Sequence, residues 1–176
     1  MAALKILVIP GSLRTGSLNA KLAAVAAYRF AQAGAEVTRI SLADFPLPIY
    51  DGDLQARSGV PKNAINLKRM IGAHHGVLIV TPEYNASIPP LVKNTIDWVT
   101  RVQDGQETRG QVFHGRPFAI AAAASAKGMG RCDRAVVGHI VVNMQGDTDR
   151  VHMRGRTRGS CIGNHVDPCR RTTHHG

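Results

Sequence analysis

The sequence predicts an α/β fold of three layers, in which helices cover both faces of a parallel sheet. Short apolar runs, typical of strands buried on both faces, alternate with segments whose apolar residues recur at helical spacing. A helix between each pair of consecutive strands is the arrangement that a parallel sheet requires. The length of 176 residues fits one domain with a continuous core.

Four strands account for the most apolar stretches of the chain. The first, third and fourth are apolar nearly throughout, which indicates burial on both faces of a sheet. The second is shorter and half polar, so we expect it near an edge. The predicted strands are residues 4–9, 35–40, 76–81 and 117–124. Residues 138–144 are the candidate for a fifth strand.

Three helices are predicted between these strands from the spacing of their apolar residues. Gly34 follows the first helix and terminates it, and Pro61 opens the second. The helices are residues 17–33, 61–73 and 91–100, and the longer loops are residues 41–53 and 101–116. His74 and His75 follow the second helix and are interpreted as its cap.

The composition excludes several classes of protein. The chain is 44% hydrophobic, which argues against disorder of the whole chain. No apolar run reaches the roughly 18 residues that span a bilayer, and residues 1–10 lack the charged start of a signal peptide. The formal charge of +10 is spread along the chain without a basic stripe or a nucleic-acid-binding motif. We therefore expect a cytoplasmic protein that binds neither membrane nor nucleic acid and that favours anionic ligands.

The loop between the first strand and the first helix carries the residue types of an anion site. Glycines let successive backbone N–H groups turn towards one anion, and the helix adds the positive end of its dipole. Hydroxyl donors and a guanidinium suited to phosphate come from Ser12, Arg14, Thr15 and Ser17. The loop is neither a Walker loop nor a GxGxxG turn, so a terminal phosphate monoester fits it best. The alternative is that these are ordinary turn residues, with Ser17 as an N-cap.

The loop after the third strand, residues 81–90, is stiffened by three prolines. It lies beside the first loop if the first and third strands are neighbours, and Tyr84 is a candidate to border a ring system. Asp97 and Trp98 in the next helix are interpreted as structural, with a tryptophan that packs and an aspartate that bonds locally. Arg101 is interpreted as a solvated cation at the end of that helix.

Two motifs in these loops carry a resemblance. They are Gly11-Ser-Leu-Arg14-x-x-Ser17-x-Asn19, and Pro82-Glu-Tyr-Asn85-x-Ser87-x-Pro89 followed by Lys93-Asn94-x-x-Asp97-Trp98. Over residues 4–131 the chain resembles the NADPH-dependent FMN reductase family of flavodoxin-like proteins, whose members include quinone, azo-dye and chromate reductases. The resemblance implies a flavodoxin-like three-layer sandwich with strand order 2-1-3-4-5.

The resemblance also implies which residues bind the cofactor. The FMN phosphate would be held by the first loop, at Gly11, Ser12, Arg14, Ser17, Leu18 and Asn19. The isoalloxazine ring would be lined, largely by backbone groups, at Pro82, Glu83, Tyr84 and Asn85, with Ser125 in a third loop. Backbone N–H groups near residues 83–85 are the candidates for stabilising negative charge on the reduced flavin. No side chain is assigned as catalytic.

The resemblance divides the chain into two parts. Residues 1–131 are predicted to be the flavodoxin-like FMN-binding domain. Residues 132–176 are rich in Arg, His, Gly and Cys, contain no leucine, and are expected to be either a disordered basic tail or a non-native end such as an out-of-frame translation. Cys161, His165 and Cys169 have ligand types suited to zinc, but their spacing matches no closed site, so no metal is predicted.

By resemblance, the function is that of an NAD(P)H-dependent oxidoreductase with bound FMN. NADPH or NADH would be the co-substrate, and the small-molecule acceptor would be a quinone, an azo compound, a metal oxyanion or free flavin. A homodimer or homotetramer is implied. Two alternatives stay open: a flavodoxin-like electron carrier, disfavoured by the positive charge, and a truncated or altered family member without activity.

Overall fold

In the computed structural model, which describes residues 2–85, 87–123, 138–139 and 156–157, four parallel strands form one sheet. They are β1 (Lys5–Pro10), β2 (Glu36–Arg39), β3 (Gly76–Val80) and β4 (Phe118–Ala121). The spatial order is β2-β1-β3-β4, which confirms the predicted order 2-1-3-4 and the position of β2 at an edge. Each strand lies within three residues of its predicted limits.

Helices connect these strands as a parallel sheet requires. They are α1 (Leu18–Gln32), α2 (Gly52–Ser58), α3 (Lys62–Ala73) and α4 (Pro90–Arg101). The helix α2 was not predicted, and it begins inside the segment predicted as a loop. Its N-cap is Asp51, whose carboxylate accepts hydrogen bonds from the backbone N–H groups of Asp53 and Leu54.

The two central strands are buried on both faces because their side chains alternate between two cores. On β1, Leu7 and Ile9 pack in the core beneath α3 and α4, and Val8 packs with Ala23 of α1 on the opposite face. Leu7, Val8 and Ile9 are each at most 6% exposed. Their uninterrupted apolar run is therefore the consequence of a covered sheet.

Two cations, Lys68 and Arg116, make hydrogen bonds between segments near the end of the sheet where β3 and β4 begin. The ammonium of Lys68, a buried residue of α3, donates to the carboxylates of Asp104 and Glu107. Burial lowers the pKa of Lys68, but hydrogen bonds with Glu107 and Asp104 and the attraction of their charges together outweigh burial, so the net shift raises this pKa. The hydrogen bond from Lys68 lowers the pKa of both carboxyls.

The second cation at this end is the guanidinium of Arg116. It donates to the backbone carbonyls of His74 at 3.0 Å, Gly72 at 3.1 Å and Val112 at 3.2 Å. His74 is the C-cap of α3, as the sequence predicted. His75 bridges to β1 instead, because its Nδ1 accepts from the Lys5 N–H at 2.9 Å.

Beyond residue 123 the structure describes only two short strands, β5 (Gly138–His139) and β6 (Arg156–Thr157). They pair antiparallel with each other and are not part of the four-stranded sheet. The remainder of the predicted fifth strand, residues 140–144, lies outside the described residues. The predicted boundary between domains, at residue 131, lies outside them too.

Candidate active site

Two loops meet at the carboxyl ends of β1 and β3. The β1 loop (residues 11–17) and the β3 loop (residues 81–89) border a cleft with a volume of about 300 Å³. The cleft is lined by Gly11, Ser12, Leu13, Arg14, Tyr84, Pro89, Pro90 and Leu91. The structure therefore brings the two motif-bearing loops together, at the position where parallel α/β sheets bind their ligands.

Gly11 is the point at which the two loops touch. Its N–H donates to the carbonyl of Val80 at 2.8 Å. A Cβ atom at this position would lie 2.5 Å from Thr81 Oγ1 and 2.6 Å from a methyl of Val92. Glycine is therefore required here by the close packing of the β1 loop against the start of the β3 loop.

Ser17 caps helix α1. Its Oγ accepts from the backbone N–H of Ala20 at 3.4 Å, and its carbonyl accepts from Lys21. The N–H groups of Leu18 and Asn19 precede the first intrahelical bonds and have no acceptor within the helix. The N-terminus of α1, which directly follows the β1 loop, thus offers two backbone donors and the positive end of the helix dipole.

The side chains of the β1 loop add donors to this helix end. Ser12 Oγ accepts from the N–H of Arg14 at 3.4 Å, and its hydroxyl hydrogen is free to donate elsewhere. The Arg14 side chain is exposed, and its guanidinium makes no hydrogen bond or ion pair with the residues that the structure describes. A cation, hydroxyls and backbone N–H groups around one helix end form a donor set suited to a phosphate monoester, so these residues fit the phosphate of FMN.

Asn19 differs from the other residues predicted for the phosphate in that its side chain is bonded to the segment beyond β4. It is only 4% exposed. Its Nδ2 donates to the carbonyl of Ala123 at 3.0 Å, and its Oδ1 accepts from the N–H of the same residue at 2.8 Å. Both polar atoms of the amide are therefore bonded to the chain just beyond β4, a contact that the sequence analysis did not foresee.

The β3 loop folds into a tight turn that displays Tyr84. Tyr84 and Ser87 exchange two backbone hydrogen bonds, of 2.9 and 3.0 Å. Asn85 lies within this turn at φ 52°, in the left-handed region that Asn tolerates better than most residues. The Tyr84 N–H is thus already bonded. Of the backbone donors predicted to face a flavin, those of Glu83 and Asn85 make no hydrogen bond within the described part of the chain.

The side chains of Asp97 and Trp98 are structural, as predicted. The Trp98 side chain is fully buried, and its indole N–H donates to the carbonyl of Pro48 at 2.7 Å. The carboxylate of Asp97 accepts from Lys93 one turn earlier, at 2.6 and 2.8 Å. The prediction for Arg101 was wrong: it is half-buried with its guanidinium 4.8 Å from the ring centre of Tyr50, because the 41–51 segment folds back over α4.

Several predicted features fall outside the described residues. Ser125, the predicted third-loop contact, is one, and Cys161, His165 and Cys169 are others. Within the ranges that the structure does describe, no three His, Cys, Asp or Glu side chains are grouped to hold a metal ion. Over the same ranges, no helix combines the length and the apolar character needed to cross a bilayer.

Comparison with known proteins adds the family context of this site. The model of the NADPH-dependent FMN reductase family matches residues 4–147. A quinone reductase of Escherichia coli is 41% identical over 118 residues, which cover 66% of this chain and 58% of the relative. A 2-hydroxy-1,4-benzoquinone reductase of a Burkholderia species is 40% identical over 119 residues, covering 67% of this chain and 59% of the relative.

A solved structure confirms the fold. The flavoenzyme FerB of Paracoccus denitrificans, an NAD(P)H:(acceptor) oxidoreductase, superposes with a TM-score of 0.56 at 35% identity. The match covers 71% of this chain and 63% of that one. With the strand order β2-β1-β3-β4, it confirms the flavodoxin-like fold that the resemblance implied. The chain spans less than two thirds of the length of each of these three proteins.

Proposed function

This chain belongs to the NADPH-dependent FMN reductase family, and on that premise we propose that it transfers electrons from NAD(P)H through bound FMN to a quinone. Family membership implies FMN as the cofactor and NAD(P)H as the co-substrate. The observation that carries the proposal is the convergence of the two motif-bearing loops on one cleft, which is lined by an Arg14 without a hydrogen-bond partner among the described residues.

We propose that the β1 loop binds the FMN phosphate. Ser12 and Ser17 would donate their hydroxyl hydrogens, Arg14 would place its guanidinium on the dianion, and the N–H groups at the start of α1 would complete the cradle. Ser12 and Arg14 line the cleft, and Ser17 with the start of α1 follows them directly in the chain. Water solvates a phosphate strongly, so the protein must replace that hydration when it binds FMN. A preorganised set of donors does so at a lower cost in ordering.

The β3 loop would then receive the ring, along Pro82, Glu83, Tyr84 and Asn85. When bound, FMN supplies the chemistry of accepting a hydride and returning electrons to an acceptor. The chain contributes orientation and electrostatics: the N–H groups of Glu83 and Asn85 are the donors proposed to stabilise negative charge on the reduced ring. No proton transfer by a side chain is required for hydride delivery, so none is assigned.

A quinone is the acceptor class that we favour. Leu13 and Tyr84, from the two loops, border the cleft and are each 52% exposed. Exposed apolar side chains at the border of a cleft suit a flat, largely apolar acceptor better than a hydrated oxyanion. Azo compounds, metal oxyanions and free flavin are the competing acceptor classes. The quinone reductases among the relatives support this preference.

The visible absorption spectrum tests this proposal directly. The full chain is purified, reconstituted with FMN, desalted and mixed anaerobically with NADPH, then with a benzoquinone. We expect flavin bands that bleach with NADPH and return with the quinone. Bands that persist with NADPH would identify an electron carrier instead, and absence of retained flavin would identify an altered family member without activity.

Two further properties implied by the resemblance stay predictions. They are a homodimeric or homotetrameric assembly and a cytoplasmic location. Gel filtration with light scattering on the flavin-loaded chain checks the first, and a monomeric mass would contradict it.

A further inference from the structure

Asn19 joins two segments that are far apart in the sequence. It lies in the first turn of α1, and its partner Ala123, two residues beyond the end of β4, is 104 positions away. The two hydrogen bonds, of 3.0 and 2.8 Å, use the side-chain donor and acceptor of one residue and the backbone carbonyl and N–H of the other. This paired geometry fixes both the distance and the orientation between the two segments.

The Asn19 contact is one of three that connect the strands next to the candidate site. In the sheet, β3 lies between β1 and β4. At the carboxyl ends of these strands, the Gly11 N–H donates to Val80 O and the Thr81 N–H donates to Ala121 O, each at 2.8 Å. These bonds join β1 to β3 and β3 to β4. The Asn19–Ala123 pair joins the first turn of α1 to the residue two positions beyond β4. Together with the chain between them, the three contacts form a closed circuit that includes Thr81 at the start of the β3 loop.

The burial of Asn19 determines what its amide can do. At 4% exposure its amide is removed from water, and the amide oxygen and one of its two N–H donors are bonded to Ala123. Redirecting the amide to a ligand would break a buried hydrogen bond and leave polar backbone atoms without a partner, which costs free energy. The neighbouring Arg14, by contrast, is exposed and unbonded within the described residues.

We propose that Asn19 is a positioning residue that fixes the end of β4 against the β1 loop and the β3 loop, and so shapes the site for the flavin ring as well as for its phosphate. The inference rests on the proposed function, because it concerns the same site. It differs from a direct contact with phosphate in one measurable respect: a positioning role extends to ligands that have no phosphate.

Riboflavin, which is FMN without the phosphate, therefore separates the two roles. Dissociation constants for FMN and riboflavin are measured by flavin fluorescence for the unmutated chain, for Asn19→Leu, which is nearly isosteric, and for Asn19→Ala. Arg14→Ala is the matched control, since it removes an exposed cation with no described protein partner. Folding of each variant is checked by thermal unfolding before titration.

We expect Asn19→Leu and Asn19→Ala to weaken FMN and riboflavin by a similar factor of about 10, the loss expected when a buried pair of hydrogen bonds no longer holds the site. Arg14→Ala should weaken FMN alone. Loss of FMN affinity with unchanged riboflavin affinity in the Asn19 variants would overturn the inference in favour of direct phosphate contact. Unchanged affinity for both ligands would overturn it as well.

A measurement on the unmutated chain keeps the inference testable if the Asn19 variants do not fold. Coupling between sites is reciprocal, so a ligand that needs the Asn19–Ala123 contact must also stabilise it. Riboflavin should therefore slow hydrogen exchange at the Ala123 amide, and an unchanged rate in saturated protein would contradict the inference. If the unmutated chain binds no flavin at all, the proposed function itself fails, which is a distinct result from binding that is insensitive to Asn19.

Discussion

The two ends of the sheet each contain an exposed or half-buried arginine, and the two are used in opposite ways. At the amino end, the guanidinium of Arg116 donates hydrogen bonds to three backbone carbonyls at 3.0 to 3.2 Å. At the carboxyl end, the guanidinium of Arg14 bonds to nothing among the described residues. The arginine at one end of the sheet is therefore committed to the chain itself, whereas the one at the other end has no partner among the described residues.

The difference between Arg116 and Arg14 separates polar groups that stabilise the fold from those that serve a ligand. A cation bonded to carbonyls in its own chain contributes to stability and has little capacity left for another partner. A cation left in solvent beside a helix N-terminus contributes little to folding and retains its capacity to bind an anion. Substitutions at the two ends should thus affect different measurements.

The largest expected effect is at the carboxyl end. The double variant Arg14→Ala with Ser17→Ala removes a guanidinium and a hydroxyl from the proposed phosphate cradle. Charge-assisted bonds of this kind contribute about 3 kcal/mol or more together, so we expect FMN affinity to fall about a hundredfold or more. Flavin fluorescence titration measures it. Retained flavin occupancy in the double variant would contradict the assignment of this loop.

The control for this double variant is Arg29→Ala at the other end of α1. Arg29 donates to Gln32 on the exposed surface and is remote from the cleft in sequence and on the helix. Its removal changes the net charge by the same amount as Arg14→Ala does. A similar loss of FMN affinity in this control would show that overall charge, rather than the β1 loop, attracts the cofactor.

The second effect, of intermediate size, is at the amino end. Arg116→Met keeps the length of the side chain but leaves the carbonyls of Gly72, His74 and Val112 without this donor. We expect the free energy of unfolding to fall by about 2 kcal/mol, measured by urea denaturation, with no change in FMN affinity of the folded protein. If Arg116→Met weakened FMN binding and left stability unchanged, the proposed division of roles between Arg116 and Arg14 would be contradicted.

The smallest effect is the pH dependence contributed by Lys68. Because the pKa values of Asp104 and Glu107 are lowered in the folded chain, the folded state binds fewer protons than the unfolded state. The stabilisation is complete above the ordinary values of 3.8 and 4.5 and is lost as pH falls below them. Since the pKa of Lys68 is raised above 10.5, its contribution persists up to that pH.

We therefore expect Lys68→Met to flatten the fall in stability between about pH 5 and pH 3. Urea midpoints of the variant and the unmutated chain across this range measure it. The matched control is Arg69→Met, which removes the neighbouring cation on the same helix. It should flatten the curve less, because the charge of Arg69 is the weakest of the causes that shift the pKa of Asp104. Parallel curves for Lys68→Met and the unmutated chain would contradict the prediction.

The sequence predicted those parts of the fold in which local pattern and tertiary burial agree. The strand β3 is a run of five residues buried at every position, so its pattern identifies it without ambiguity. The helix α2 has no buried residue and depends on its Asp51 cap, so it leaves no apolar periodicity to detect. A short exposed helix of this kind is visible in the sequence only through its capping residue.

The candidate site could be located from the sequence, but not all of its contacts could. The loop residues Ser12, Arg14 and Tyr84 line one cleft because the carboxyl ends of parallel strands share one edge, and their contact with FMN stays a prediction. The bonds of Asn19 to Ala123 and the stacking of Arg101 on Tyr50 join residues 104 and 51 positions apart. Such pairings depend on the assembled fold, and no local spacing encodes them.

The burial of Trp98 has a practical consequence for measurement. It is the one tryptophan in the chain, it packs edge-on against Tyr50 with ring centres 5.1 Å apart, and its N–H is bonded to Pro48. An indole held in this apolar, water-free environment emits at shorter wavelength than one in solvent. Release of the 48–50 segment from α4 would shift that emission to the red without any added label. The wavelength of Trp98 emission thus reports whether the 48–50 segment, to which Trp98 is bonded, is still packed against α4.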